Sequence, residues 1–300
     1  MIVDLVKTTT TDDMTLDGIF FAPREGGVAG RAVDAILLVH GTGGNFYSAN
    51  LLDLADRFCK AGYPCASFNC RSHDVVHGNP DRPLGNAHEI LDKCRLDLDA
   101  GITWLARKGY KRIAIFGHSM GAVKVAYYAA FVPDPRVAAV IPSSPVRLSY
   151  SYFSACESGD EYRGFLEQAN ALIEAGQPDA LISATFPNPA FYSARSYVDK
   201  QGPSERYNLV RYVVNIRQPI FLMAGTLETH PRLRDAAKDA FETIKLKPDA
   251  KLVIHTGADH GWSNMRDAQA NYVLDFLAGL KPAAEAKKPT AKVPVAAARR

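Results

Sequence analysis

Several signatures that would assign this chain to a membrane, secreted or redox class are missing from it. No apolar run approaches the roughly 18 residues that a membrane-spanning helix needs, and the N-terminal segment carries Asp4 and no apolar run of signal-peptide length. The cysteines are odd in number, and no two of them stand in C-x-x-C spacing. We therefore predict a cytoplasmic protein with reduced cysteines and no membrane partner.

Nucleotide and metal motifs are also absent. The chain contains neither G-x-x-x-x-G-K-[ST] nor G-x-G-x-x-G, the phosphate-binding patterns. His73 and His77 stand four residues apart beside Asp74, but Gly78 and the Asn-Pro pair after it oppose a helix there, and no third ligand is evident. We expect no metal and no cofactor.

The positive charge is concentrated at one end. Residues 281–300 carry six Lys or Arg and one Glu, a net charge of +5. Since the whole chain has a net charge of +3, the other 280 residues together carry −2. A slightly acidic body gives no reason to expect a nucleic-acid partner. The tail, rich in Ala, Lys and Pro, is predicted to be disordered and dispensable.

One stretch, residues 112–130, organises the rest of the chain. An apolar run of strand type, 113–116, is followed by G-H-S-M-G with Ser119 at its centre and then by a helix-like run of small residues. The pattern G-x-S-x-G between a strand and a helix presents a serine nucleophile at a sharp turn. Gly117 and Gly121 lack Cβ atoms, which lets strand and helix approach closely. A structural Gly-Ser turn is the alternative interpretation.

A second glycine-rich stretch supports the catalytic interpretation. His40-Gly41-Thr42-Gly43-Gly44 comes directly after the apolar run 35–39, which is typical of a buried parallel strand. A loop in this place can supply a backbone N–H to a developing oxyanion. The alternative is an ordinary strand-to-helix turn.

A serine needs a base and a group that orients the base. Glu228 follows the predicted strand 220–224, and His260 follows the predicted strand 251–255. Catalytic groups of open α/β sheets gather at the carboxyl ends of the strands. Asp259 is the rival for the acid and His230 the rival for the base, although His230 precedes the last strand.

Together these motifs resemble the α/β-hydrolase superfamily over about residues 15–280. The resemblance implies an α/β fold with a mostly parallel eight-stranded sheet, helices on both faces and an inserted helical cap. It also implies Ser119 as nucleophile, His260 as general base and Glu228 as acid, a position where Asp is more frequent. Oxyanion donors would be the backbone N–H groups of Thr42 and Met120, with Gly43 beside them. A weaker similarity is to the fungal siderophore-esterase branch.

The insertion is predicted at residues 146–216, between core segments 1–145 and 217–280, because the βα alternation breaks there and aromatic residues accumulate. We expect this cap to select the substrate. Arg71, Arg147 or Arg195 could meet an anionic substrate. The expected substrate contacts are Arg71, His118, Tyr150, Phe153, Phe191, Tyr192 and Trp262.

The predicted function is hydrolysis of small to medium carboxylic esters through an acyl-enzyme. A lactone, thioester or C–C bond hydrolase on the same residues is one alternative, and a non-catalytic protein that binds a small ligand is another. The expected partners are the small-molecule ester and a second copy of the chain in a homodimer.

Overall fold

The computed structural model describes residues 3–23, 30–79 and 81–281. The strands in these residues are β1 (Asp4–Thr9), β2 (Thr15–Phe21), β3 (Ala35–Val39), β4 (Cys65–Phe68), β5 (His77–Asn79), β6 (Arg82–Leu84), β7 (Ile113–His118), β8 (Val137–Ser143), β9 (Leu181–Ala184), β10 (Ala190–Ser193), β11 (Ile220–Gly225) and β12 (Ala250–His255). The α-helices are α1 (Ala49–Lys60), α2 (Cys94–Arg107), α3 (Met120–Phe131), α4 (Tyr150–Ser154), α5 (Gly159–Glu174), α6 (Ala194–Gln201), α7 (Ala236–Ile244) and α8 (Arg266–Ala278). Short 3₁₀ turns cover Asn86–His88, Leu91–Lys93, Leu209–Arg211 and Val213–Asn215.

Eight of the described strands form the main sheet, in the order β1-β2-β4-β3-β7-β8-β11-β12. The first hairpin pairs antiparallel, as does β2 with β4, and every other neighbouring pair is parallel. The central strand β3 is buried along its whole length, as a parallel strand covered on both faces should be. The predicted fold class is confirmed.

Helices cover both faces of this sheet and separate the core into two apolar clusters. The period of two along a strand sends Leu37 of β3 to one cluster and Ile36 and Leu38 to the other. Helices α2, α3 and α7 contribute to the first cluster, and α1 and α8 to the second. Among the described residues, no helix has both the length and the apolar character needed to span a bilayer.

Two helices begin after a polar segment. Glu89 lies before α2, which begins at Cys94; it is buried in ion pairs, and its carbonyl accepts the Ser196 hydroxyl at 2.9 Å. Helix α7 begins at Ala236. The segment before that helix is a loop that follows β11 toward the carboxyl edge of the sheet.

The segment between β8 and β11 holds a third apolar cluster of its own, built from α4, α5, α6 and the antiparallel hairpin of β9 and β10. The hairpin was not predicted; the sequence suggested helices alone. Buried Tyr162 closes the cluster by donating its hydroxyl to the Gln201 carbonyl at 2.6 Å. The exact boundary at residues 146–216 stays a prediction. Of the predicted basic tail, residues 282–300 lie outside the described part of the chain.

A buried ion cluster joins this segment to the sheet layer. Lys124 of α3 lies 2.7 Å from Glu89 Oε1, and Lys200 of α6 lies 2.9 Å from Glu89 Oε2. Each of the three side chains is no more than 3% exposed. Burial alone would raise the pKa of Glu89, but the two ammonium groups outweigh it and hold that pKa well below its ordinary value. We refer to these three residues as the Glu89 cluster.

Candidate active site

Ser119 sits on a strained turn between β7 and α3. Its φ of 59° and ψ of −118° lie outside the regions that non-glycine residues ordinarily occupy. A Cβ on Gly117 would lie 2.1 Å from the Gly121 carbonyl oxygen, and one on Gly121 would lie 2.2 Å from the Val39 carbonyl oxygen. Only glycine fits at either position. The predicted steric role of both glycines is thus present in the fold.

Three side chains from distant parts of the chain meet at this turn. His260 Nε2 lies 3.0 Å from Ser119 Oγ, and His260 Nδ1 lies 2.9 Å from Glu228 Oε2. With Nδ1 protonated, the ring donates to the carboxylate and turns its Nε2 lone pair toward the hydroxyl. A base in contact with the hydroxyl and a carboxylate behind it is the geometry that activates a serine.

The Glu228 carboxylate is buried and held from its other side. Its Oε1 accepts the Gly225 backbone N–H at 2.8 Å and the Ser144 hydroxyl at 2.7 Å. Ser144 in turn accepts the indole N–H of Trp262 at 3.0 Å. Ser144 was not among the predicted site residues; its place just after β8, at the carboxyl edge of the sheet, was the available signal.

These contacts correct the prediction for Trp262, which was expected to touch substrate. Its side chain is fully buried and lies behind the acid instead. The rival residues for acid and base make other contacts. Asp259 accepts the Ser263 backbone N–H at 2.8 Å, and the ring of His230 accepts the Arg232 backbone N–H at 3.2 Å.

His118 holds the loop that carries the base. Its Nε2 donates to the His260 carbonyl oxygen at 2.7 Å, and it also lines the cleft above the serine. Burial and the neighbouring His260 lower the pKa of His118 to about 4, so the ring is neutral at physiological pH. His118 therefore lines the cleft and also fixes the position of His260, and its contact with substrate stays a prediction.

The His40 to Gly44 loop is fixed by its own histidine. His40 Nδ1 donates to the Gly41 carbonyl at 2.9 Å, and His40 Nε2 accepts the Cys70 backbone N–H at 2.9 Å. Burial and the charge of Lys124 lower the pKa of His40 to about 3, which suits this neutral form. A Cβ on Gly41 would come within 2.9 Å of Ser119 Cβ, so loop and nucleophile are in direct contact.

The predicted oxyanion donors flank this contact. Met120 is the first residue of α3, and the first N–H groups of a helix have no intrahelical acceptor. Thr42 lines the cleft from the opposite loop, whereas Gly43 turns the chain with a φ of +61° and is not among the described lining residues. Gly43 thus shapes the loop and does not face the cleft.

A cleft of about 420 Å³ opens over the serine. Its lining consists of glycines and polar side chains. Among the described residues, only Asn188 comes from the segment between β8 and β11. The lining residues are Gly41, Thr42, Gly44, Ser48, Asn50, His118, Ser119, Asn188, Arg232 and His260.

The structure corrects the prediction of aromatic walls. Phe153 and Tyr192 are buried in the third apolar cluster, and Tyr150 packs against it, because these rings form the core of the segment itself. Phe191 is 53% exposed on β10 and does not line the cleft. The side chain of Tyr192 hydrogen-bonds that of Asn188, which does line the cleft.

The prediction for Arg71 is corrected as well. Its guanidinium pairs with Asp12 and Asp97, each at 2.8 Å, and it lies outside the catalytic cleft. Nearby, the rings of His73 and His77 stack with centroids 3.8 Å apart. Within the described residues no group of three or more His, Cys, Asp or Glu side chains is arranged to hold a metal ion.

The strand order, the strained turn that carries Ser119, and the hydrogen bonds that link Ser119, His260 and Glu228 together indicate the class of the protein. The model of the alpha/beta hydrolase family matches residues 36–290. The chain belongs to that family.

Known structures share the fold at low sequence identity. The alpha/beta hydrolase GrgF from Penicillium sp. sh18 superposes with a TM-score of 0.71 at 21% identity, covering 92% of this chain and 98% of its own. The Pyrococcus furiosus esterase Pf2001 superposes with a TM-score of 0.62 at 18% identity, covering 92% of this chain and 90% of its own. Est1E from Butyrivibrio proteoclasticus, solved with ferulic acid, superposes with a TM-score of 0.63 at 16% identity, covering 91% of this chain and 98% of its own. No sequence among the curated proteins matches this chain.

Proposed function

We propose that the protein hydrolyses carboxylic esters of small to medium size through an acyl-enzyme on Ser119. The observation that carries this proposal is the unbroken hydrogen-bonded series from Ser119 Oγ through His260 to Glu228, with distances of 3.0 and 2.9 Å. One of the structural neighbours, Pf2001, is an esterase, which is consistent with the proposal.

The first half of the reaction forms the acyl-enzyme. Ser119 Oγ attacks the ester carbonyl carbon while His260 Nε2 takes the hydroxyl proton, and Glu228 stabilises the resulting imidazolium. The C–O bond to the alcohol then breaks, and His260 returns its proton to the departing oxygen. The acyl group is left on Ser119 and the free alcohol is released.

The second half regenerates the enzyme. A water molecule gives a proton to His260 Nε2 and attacks the acyl carbon, the bond to Ser119 Oγ breaks, and His260 returns the proton to Oγ. In both halves the carbonyl oxygen becomes negatively charged. The backbone N–H groups of Met120 and Thr42 are our candidates to stabilise this charge. Losing one such donor typically lowers kcat by a factor of roughly 10² to 10³.

A fluorophosphonate probe tests the nucleophile, because it reacts only with an activated serine. We expect labelling of the wild type and none of Ser119→Ala. The matched control is Ser183→Ala, which removes an exposed serine from β9 and should leave labelling intact. Labelling that survives in Ser119→Ala would refute the assignment, and an unlabelled wild type would favour a non-catalytic binding protein.

The ester chemistry is tested separately by release of alcohol. A burst of p-nitrophenol equal to the enzyme concentration, followed by slower turnover, is the kinetic sign of an acyl-enzyme. A panel of p-nitrophenyl esters, thioesters and lactones compares the substrate classes under the same conditions. Turnover of lactones or thioesters alone would move the proposal to that alternative.

A further inference from the structure

Among the described residues that line the cleft, Arg232 is a cation and none is a carboxylate. Arg232 lines the cleft together with Ser119 and His260, and its Nε is shielded from solvent without a hydrogen-bond partner in the described residues. An arginine presents a fork of five N–H donors and stays charged under all ordinary conditions. A shielded donor without an acceptor is unfavourable unless a ligand supplies one.

The other candidate arginines are already paired. Arg147 binds Asp239, and Arg195 binds Asp179. Arg71 is paired as well, so all three guanidiniums that were predicted to meet an anionic substrate already bind carboxylates of the protein. Arg232, by contrast, lines the cleft.

The surroundings of Arg232 leave its charge uncompensated. No Asp or Glu is among the described residues that line the cleft. Burial lowers the pKa of Arg232 from its ordinary value, with Tyr192 acting in the opposite direction. Because guanidinium remains protonated in proteins, Arg232 places a positive charge at the lining of the cleft.

The backbone at Arg232 is held in place, so the side chain starts from a defined position. Its carbonyl accepts the Arg147 N–H at 2.6 Å, and its own N–H donates to the His230 ring at 3.2 Å. Four residues earlier in the same loop, Glu228 holds the catalytic histidine. The cation and the base are thus attached to one short segment of chain.

We infer that Arg232 binds a carboxylate of the substrate, so that the preferred esters carry a free carboxylate close to the scissile bond. This inference rests on the proposed function. A carboxylate fits better than a phosphate, because Arg232 is the only Lys or Arg among the described lining residues and a phosphate dianion would leave one charge unmatched. The polar side chains of Ser48, Asn50 and Asn188 suit a short, polar molecule in a cleft of about 420 Å³.

Matched ester pairs test the inference on either side of the scissile bond. Monomethyl glutarate and dimethyl glutarate differ by one charge on the acyl side, and acetoxyacetate and its methyl ester differ by one charge on the alcohol side. We compare kcat/KM within each pair for wild type and Arg232→Met. Differences in chemical reactivity between the two esters cancel, because the same pair is used on both enzymes.

We expect the preference for the anionic ester of at least one pair to fall about 10-fold to 100-fold in Arg232→Met, as the loss of a charge-assisted pair of hydrogen bonds predicts. Arg232→Lys should recover part of it, since the charge remains and the fork is lost. Arg217→Met removes an exposed arginine and serves as the control, with the preference unchanged. An unchanged preference in Arg232→Met overturns the inference while ester hydrolysis stands.

A binding measurement separates this inference from the proposed function. Calorimetric titration of monomethyl glutarate and acetoxyacetate into Ser119→Ala and into Ser119→Ala/Arg232→Met needs no turnover. We expect at least one of the two to bind about tenfold more weakly or worse to the double variant. Equal affinities, or binding to neither protein, would overturn the carboxylate site even if wild type hydrolyses neutral esters. Binding that depends on Arg232 without hydrolysis by the wild type would support the site and refute the esterase.

Discussion

The Glu89 cluster makes a quantitative prediction about stability. Glu89→Gln keeps the size of the side chain but leaves Lys124 and Lys200 buried without their carboxylate. Removing one partner of a buried ion pair typically costs about 3–5 kcal/mol. Since a domain is stable by only about 5–15 kcal/mol, the variant should be folded but much weakened.

Titration of each lysine sets an upper limit on the free energy that leaving it buried without a partner can cost. A buried ammonium group that loses its partner can deprotonate, and at neutral pH this costs a lysine about 1.4 kcal/mol for each of the roughly 3.4 pH units below its ordinary pKa, or about 4.6 kcal/mol. In the variant, the pKa of each folded lysine is lower than that of the unfolded chain. The unfolded state therefore binds more protons, and the stability of the variant rises with pH.

Urea unfolding at neutral pH and at about pH 9.5 measures both effects. We expect Glu89→Gln to lose about 3–5 kcal/mol at neutral pH and to recover part of this loss at the higher pH. Glu242→Gln is the matched control, because Glu242 pairs with Lys245 at 2.9 Å on the surface of α7, where both side chains are more than half exposed. Its stability should be nearly unchanged, because solvent screens an exposed pair.

Lys124→Met sharpens the comparison, since it leaves Glu89 and Lys200 as a balanced pair. It should cost less than Glu89→Gln. The reasoning is refuted if Glu89→Gln loses less than about 1 kcal/mol, or if its loss does not shrink as the pH rises. Either result would mean that water or another group already compensates the two lysines.

Further expectations concern the acid, its support and the buried histidines. Glu228→Gln should lower kcat far more than Asp259→Asn, and the reverse order in folded variants would identify Asp259 as the acid. Ser144→Ala should lower the free energy of unfolding by about 1–3 kcal/mol and reduce kcat, because it removes one donor to the carboxylate and leaves an indole N–H without an acceptor; unchanged urea unfolding would contradict this. Burial lowers the pKa values of His40 and His118 to about 3 and about 4. The unfolded chain therefore binds more protons, and stability should fall as the pH drops below about 6.5, by up to about 1.4 kcal/mol per unit for each histidine; urea curves that coincide between neutral pH and about pH 5 would contradict this.

The parts of the site that could be predicted are those defined by local geometry. A turn with φ of 59° at Ser119 requires small neighbours, and the two glycines state that requirement in the sequence itself. The carboxyl ends of parallel strands lie at one edge, so the order of β7, β11 and β12 was enough to bring Glu228 and His260 to Ser119.

The parts that could not be predicted depend on which tertiary partner a side chain finds. Several arginines were equal candidates for an anionic ligand, and only the positions of Asp12, Asp239 and Asp179 decide which are already paired. Four aromatic residues of the insertion were expected at the cleft. Phe153 and Tyr192 are buried in the third apolar cluster and Tyr150 packs against it, because a segment of this length needs an apolar core of its own, whereas Phe191 is exposed away from the cleft.

The loop after β11 carries both the acid that orients the base and the cation of the cleft. Neither residue belongs to the segment between β8 and β11, which supplies only Asn188 to the described lining. Recombination or engineering that replaced that segment would therefore alter the size and polarity of the entrance but would leave Glu228 and Arg232 together on their loop. Any replacement would have to bring a cation to the position of Lys200, since otherwise the buried carboxylate of Glu89 would retain only Lys124. Under the inference drawn for Arg232 and the prediction that the insertion selects the substrate, specificity for charge and specificity for shape lie on separate pieces of this chain.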